Sequence, residues 1–382
     1  MPEVRRLALL VCLLVAGCGS ADPASTWVDA TGTPSAGTVT ATPPVSPSPT
    51  KPAVAFTAGN PKGTAPVPAE AKAVDTRKPD RVIGTGTAAS CTSEAVVAAV
   101  AKGGVITFAC GPDPVTITMK STAKVRNTSA RVVLDGGGLV TLSGGGKRRI
   151  LYQNTCDKSL VWTTSHCNDQ SSPQLTVQNL TFADGNSTGD TTEGGGGGAI
   201  FVRGGRVKVV NAKFVRNKCD STGPDLGGAA LRVLDQYQDK PVYIVSSTFG
   251  GATGQGGVCS NGGALSSIGV SWVVLNSLLT HNRAIGKGAN PARAGTPGGG
   301  SGGAIYTDGD RFTVTIAGSI VQDNRAAEGG GAVFFVSNDR TGTMTIDHST
   351  LRRNPSDGFE TYPGIFFLGA KPPTVIGPKP AH

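Results

Sequence analysis

The side chains that could do chemistry lie at fixed offsets from a recurring Gly-Gly-Ala. After Ala304 come Asp308 and Asp310, and after Ala332 comes Asp339. Two carboxylates on adjacent segments can do general acid–base work, one giving a proton while the other receives one or steadies positive charge. An earlier segment carries Asp235 and Asp239, but the one between, Ser266-Ser267-Ile268-Gly269, has no acid. Asp308 or Asp310 with Asp339 is therefore the expected pair. The competing reading is turn chemistry, because Asp-Gly-Asp-Arg at 308–311 and Asn-Asp-Arg-Thr-Gly at 338–342 have the composition of solvated turns. A second series, Lys218, Thr253, Arg283 and Arg325, would set Arg283 and Arg325 side by side. Two such guanidinium groups can grip a carboxylate or sulfate, or else form a solvated edge. His281 and His348 are isolated. His348 takes a position held elsewhere by Asn179, Asn211 and Asn276, which favours a turn role over that of a base.

These offsets have meaning only if the chain repeats, and it does. Copies of one apolar pattern start at Leu175, Val207, Val242, Trp272, Val314 and Met344, 30 to 42 residues apart. Two positions on stand Val177, Val209, Ile244, Val274, Ile316 and Ile346; seven positions on stand Phe182, Phe214, Phe249, Leu279, Val321 and Leu351. Self-similarity at this period is the signature of a solenoid. Two-residue alternation with β-branched residues and no helical spacing makes each copy a short strand and excludes helical repeats. A single coil cannot bury its apolar column; coils stacked about 4.8 Å apart bury it continuously and pair each backbone with the next. The Asn column (Asn217, Asn282, Asn324, Asn354) is expected to form a side-chain ladder, with Gly185 and Ala252 as departures. Gly-Gly-Ala, ending at Ala199, Ala229, Ala264, Ala304 and Ala332, is expected to supply a tight turn and then an inward Ala. The small residues Ala212, Ser247, Ser277, Ser319 and Ser349 leave room where the chain bends inward.

Gly-Gly-Ala-Ile at 197–200 and 302–305, paired with Phe-x-x-Asn at 214–217, resembles the repeat of polymorphic outer-membrane-protein and related β-helix proteins of the pectate-lyase-like superfamily. Upstream, Gly-Gly-Val-Ile-Thr-Phe-Ala-Cys at 103–110 and Val-Leu-Asp-Gly-Gly-Gly at 133–138 are similar to the opening coils of bacterial surface β-helix proteins. The resemblance spans residues 91–360 and implies an all-β fold, a right-handed single-stranded parallel β-helix. For chemistry it implies the paired carboxylates of hydrolases, or Ca²⁺ held by acidic side chains in lyases, where a basic residue removes a proton α to a uronate carboxyl. The same superfamily holds adhesins and phage tail parts, so fold alone does not choose. No Arg-x-x-Pro-Arg lyase motif or Asn-x-Asp hydrolase motif stands out. Polysaccharide binding therefore stands ahead of cleavage, and a non-catalytic adhesin or envelope scaffold with protein partners is the alternative.

The flanks address the location. Arg5 and Arg6, an apolar run at 7–15 and Val-Ala-Gly-Cys at 15–18 read as a lipoprotein signal over residues 1–17, with Cys18 as the lipidated N-terminus. The run is too short to span a bilayer, so lipid would anchor the protein to the outer face of a bacterial cell membrane. Residues 18–80, rich in Pro, Thr, Ala and Ser, read as a disordered tether, and residues 81–382 as the β-helix domain. Thr92-Ser93-Glu94, an apolar face and Gly103-Gly104 predict a short helix capping the N-terminal end of the solenoid. The glycine-rich excursion 285–301 is the largest insertion, expected to overhang a groove. No Lys-Ser/Thr follows it, so it is no phosphate loop. Of 8 cysteines, Cys12 leaves with the signal and Cys18 takes lipid. The remaining six allow about fifteen pairings, of which the sequence neighbours Cys91–Cys110, Cys156–Cys167 and Cys219–Cys259 are the expected ones. No Cys-x-x-Cys spacing suggests metal. The formal net charge of +9 suits anionic polymers, though charge alone selects no partner. A monomer is expected, with no nucleic-acid partner and no resident cofactor, Ca²⁺ entering only with lyase chemistry.

Overall fold

The computed structural model describes residues 56–382; the signal, Cys18 and the first part of the tether lie outside them. Each repeat copy folds as two strands with a bend between. In the first copy, Gln174–Gln178 and Thr181–Ala183 flank Asn179, whose φ is 50°. The same place in later copies holds Asn211 (47°), Ser246 (46°), Asn276 (50°), Gly318 (58°) and His348 (41°). A bend in left-handed backbone favours Asn and Gly, which explains Asn179, Asn211 and Asn276 and gives His348 its turn role. A third strand, such as Ile200–Arg203, completes each coil.

Stacking the coils produces all-parallel sheets: one of ten strands from Arg81–Ile83 to Thr374–Ile376, two of eight, and one of three short strands. The molecule is a parallel β-helix. Its ladders run residue for residue, so that Val207 pairs with Leu175 and Val209 with Val177. The interior is the expected apolar column. Phe182 stacks on Phe214 at 5.0 Å and Phe214 on Phe249 at 4.7 Å. Each pair contributes roughly 0.5–1.5 kcal/mol beyond area burial.

The polar columns are ladders. Asn282 donates from Nδ2 to Asn324 Oδ1, and Asn324 Nδ2 to Asn354 Oδ1, both at 2.9 Å. Toward the N-terminus the ladder passes through Gly257, whose N–H donates to Asn282 Oδ1 at 2.9 Å, and not through Ala252, because residues 250–256 loop out. The serines do more than leave space. The backbone N–H groups of Ala212, Ser247, Ser277 and Ser319 donate in turn to the hydroxyls of Ser247, Ser277, Ser319 and Ser349 at 3.0–3.1 Å. Gly-Gly-Ala supplies left-handed glycine and a buried Ala in each coil, with one shift. Ala230, not Ala229, aligns with Ala264, and Ala229 packs against Cys219 and Cys259.

Helix α1 (Ser93–Lys102) closes the N-terminal end. Thr92 caps it by accepting from Ala95 N–H, Gly103 ends it at φ 70°, and Val96 and Val100 plug the core. The disulfides are Cys91–Cys110, Cys156–Cys167 and Cys219–Cys259.

The tether boundary differs from the composition-based expectation. Residues 56–80 lie against the ten-stranded sheet. Asn276 holds Ala65 by both amide atoms, accepting from its N–H at 2.8 Å and donating to its carbonyl at 2.9 Å. Gln178 does the same for Val74 at 2.8 and 2.9 Å. Val67 and Ala71 cover the outward Val210, Tyr243, Val245 and Leu275. Small residues suffice here because side-chain amides supply the pairing that a neighbouring strand would otherwise give. Among the described residues no helix is long and apolar enough to cross a membrane.

Candidate functional site

With the ten-stranded sheet as the first, and the eight-stranded sheets that contain Thr181–Ala183 and Ile200–Arg203 as the second and third, the outward face of the third carries a column of large side chains, Tyr152, Phe201, Arg232, Tyr306, Phe334 and Phe366, broken only by Ser266. Most are buried although they point away from the core. The long turns between the second and third sheets fold over them. The excursion 285–301 lies flat: Asn290 Nδ2 donates to the Tyr306 hydroxyl at 2.9 Å and to Asp308 at 2.8 Å, and Arg293 grips Glu328 with two bonds of 2.9 and 2.7 Å. The expected overhang is thus a closed roof over Tyr306.

Polar surface opens where the third sheet turns into the first. A cleft of about 300 Å³ is walled by Asn168, Asp169, Asp235, Gln238, Asp239 and Lys240, with Gly269 at the next coil. Asp235 (φ 60°), Gln238 (52°) and Asp239 (52°) all hold left-handed backbone. Such clusters of non-glycine residues cost of order 1–3 kcal/mol each and persist where surrounding structure over-determines them. Here Asp169 accepts from Gln238 N–H at 2.6 Å, and Gln236 accepts from Val207 N–H at 3.0 Å. At the sheet edge Arg203 pairs with Glu193, donates to Asn168 at 2.9 Å and lies 3.5 Å from Asp235. Burial pushes the Asp235 carboxyl above its ordinary range, and Arg203 opposes this only in part. Asn168 and Asp169 sit at the end of the loop closed by Cys156–Cys167. That loop also carries Trp162, 41 % exposed, and Val161 at φ 87°. A β-branched residue there is a true backbone outlier.

Asp308 and Asp339 are not register partners. Strand Ile305–Gly309 registers Asp308 beside Ile268 and Val336, three residues short of Asp339. Asp308 accepts from Gly309 N–H at 2.7 Å, Asn290 at 2.8 Å and the Tyr306 hydroxyl at 3.1 Å, and burial raises its carboxyl. Asp339 caps an exposed turn, accepting from Thr341 N–H at 3.0 Å, which holds its carboxyl below the usual range. Asp310 is exposed, its carbonyl accepting from Ser337 at 2.6 Å. Asp339 does the turn chemistry of the competing reading, whereas Asp308 ties the 285–301 roof to its strand.

Arg283 and Arg325 are neighbours, as the spacing predicts, on paired strands Arg283–Ala284 and Arg325–Ala326. The column differs at one place: Lys218 pairs with Val258, and Val258 with Arg283, so Thr253 belongs to the looped-out segment. Arg325 meets Asp357 at 2.6 Å. Among the described residues no group of three or more His, Cys, Asp or Glu is placed to hold a metal ion.

Sequence reasoning singled out Asp235 and Asp239 but set them aside, because it looked for acids only at matching offsets on adjacent coils. Asp169, Glu193, Arg203 and Trp162 were missed altogether. The available signal was the Cys156–Cys167 bracket, which marks an ordered loop able to reach a turn outside the repeat. No family model, curated protein or solved structure matches the chain.

Proposed function

We propose that this chain is a lipid-anchored protein of the bacterial cell envelope, a β-helix of the pectate-lyase-like kind, that binds a polysaccharide. The observation that carries the reading is the open cleft of amides and carboxylates on the third-to-first-sheet turns, one wall of which follows a disulfide-closed loop. Planar amides and carboxylates suit the hydroxyl groups of a sugar, the carboxylates as acceptors and the amides as both donors and acceptors. Asp169, Asp235 and Asp239 against the single Lys240 favour a neutral or amino-bearing glycan in this cleft. The lipid anchor rests on Cys18 and the preceding apolar run.

The reading is recognition without turnover: the two acids nearest the sheet edge, Glu193 and Asp235, share Arg203. The test is affinity electrophoresis of the protein through neutral and amino-sugar polysaccharides, with reducing-end release followed in parallel. Retention of wild type should fall about tenfold or more in Gln238→Ala and in Asp239→Ala, each removing one polar group of the cleft wall. Release of reducing ends would replace binding with hydrolysis, and no retention on any neutral or amino-bearing glycan would leave the protein-binding scaffold as the better account.

A further inference from the structure

We infer that the face formed by the three-stranded sheet is a second, independent binding site, for a linear anionic glycan polymer lying along the solenoid axis. The strands Val258–Cys259, Arg283–Ala284 and Arg325–Ala326 are two residues long and in register. Cys259, Ala284 and Ala326 are buried. Strand alternation then obliges Val258, Arg283 and Arg325 to face outward, at successive spacings of about 4.8 Å. Lys218 extends the column by one coil, through its bridge to Val258. The result is an axial row with cations at both ends and an apolar residue between. It borders a groove of about 380 Å³ into which Gly254, Gly256, His281 and Asp323 also face.

The charges of this face do not cancel. Asp323 is held by Arg353 through two bonds of 2.6 and 2.8 Å, and Asp357 is engaged by Arg325. Asp220 accepts from Gly189 N–H at 2.9 Å. Arg283 and Lys218 have no carboxylate partner among the described residues, and both are exposed. A β-ladder that stacks like charges directly opposite one another is disfavoured unless something bridges them. A guanidinium presents a planar fork that matches a carboxylate or phosphate by two parallel bonds, and Arg283 beside Arg325 repeats that fork one strand further on. A polymer with an anionic group on each residue or alternate residues could engage Lys218, Arg283 and Arg325 in sequence without any of the coils moving. An isolated small anion would satisfy one fork only.

This site is on different turns from the acidic cleft and does not rest on it, so failure of neutral-glycan binding leaves it standing. The test uses the full-length chain in detergent micelles. Binding is measured by titration with polygalacturonate, which supplies carboxylates, and with a linear phosphodiester-linked hexose polymer, which supplies phosphates; a single-stranded polynucleotide is the competing polyanion. Wild type should bind at least one of the two named polymers, weakening as salt shortens the screening length from about 10 Å at 0.1 M to about 3 Å at 1 M. Arg283→Gln and Arg325→Gln should each lose roughly tenfold, from one charged hydrogen-bonding group apiece. Arg283→Glu should lose more than Arg283→Gln. Arg77→Gln, an exposed arginine in the 56–80 segment, should lose nothing. An unchanged thermal midpoint in each variant confirms folding. Absent binding of both polymers by wild type, undiminished binding by the Arg283/Arg325 double variant, or an equal loss in Arg77→Gln overturns the proposal. Binding of the polynucleotide as tight as that of the better polymer overturns its assignment to a glycan.

Discussion

The acidic cleft and the basic row occupy different corners of the same coils and are built by different means. The row is a product of the repeat: Arg283 and Arg325 stand side by side because their strands pair in register, and the buried Ala284 and Ala326 fix which way they face. The cleft is a product of departures from the repeat. It takes Asp235, Gln238 and Asp239 from one turn, Gly269 from the next, and Asn168 and Asp169 from an inserted loop. A periodic frame positions a ligand-facing row with no extra device. A site assembled from unlike segments needs a disulfide, left-handed backbone and an Arg203–Glu193 pair to hold it. Perturbations should therefore separate the two sites unless they strike the frame itself.

The frame gives the largest expected effect. Phe214 stacks between Phe182 and Phe249 in the core shared by both sites. Phe214→Ala removes contacts to both neighbouring coils and leaves a cavity that stacked strands cannot collapse around, costing about 3–5 kcal/mol. Denaturant titration with both binding assays should show the cleft and the row lost at one lowered midpoint. A change under about 1 kcal/mol would mean that the column is not close-packed; loss of one site at a lower denaturant concentration than the other would mean that the coils do not share one cooperative core.

The contrast also accounts for what could be read in the chain. The solenoid, its capping helix, the Asn ladder, the three cysteine pairs and the Arg283–Arg325 adjacency were legible because each follows from periodicity or sequence proximity. The Asp308–Asp339 pairing failed because a shared offset from Gly-Gly-Ala does not survive into the following turn: Asp308 is the last residue but one of its strand, while Asp339 lies beyond the end of Val333–Ser337. Residues 56–80 were read as a tether because composition reports large apolar side chains and not backbone pairing. Nothing in their own sequence announces that Asn276 and Gln178, some hundred residues or more away, present amides to Ala65 and Val74. The cleft was invisible for the same reason, since Asp169 and Asp235 are brought together by a loop with no counterpart in other coils.

An intermediate effect should fall on the cleft alone. Replacing Cys156 and Cys167 by Ser opens the loop that carries Trp162 and Asn168 and returns about 2–4 kcal/mol of loop-ordering free energy to the unfastened segment. Limited proteolysis should then nick residues 157–166, and retention on neutral glycans should fall, while polyanion binding at Arg283 stays as in wild type. Loss of polyanion binding in the same variant would contradict the separation of the two sites.

The smallest effect is the most specific, because it distinguishes an acid from an arginine by titration. Burial holds the Asp235 carboxyl above its ordinary value of 3.8, with Arg203 opposing. A carboxyl raised in the fold favours the folded state where it is protonated, so its contribution is fully present below the unfolded value and is lost as pH rises through the folded one. Asp235→Asn keeps the shape and removes the titration. The variant should therefore gain stability relative to wild type as pH climbs from about 3, and the difference should level off once the wild-type carboxyl is fully ionised. Arg283→Gln, which removes no carboxyl, should show no such slope. A slope of the opposite sign for Asp235→Asn would mean that Arg203 outweighs burial and that the fold favours the ionised carboxylate.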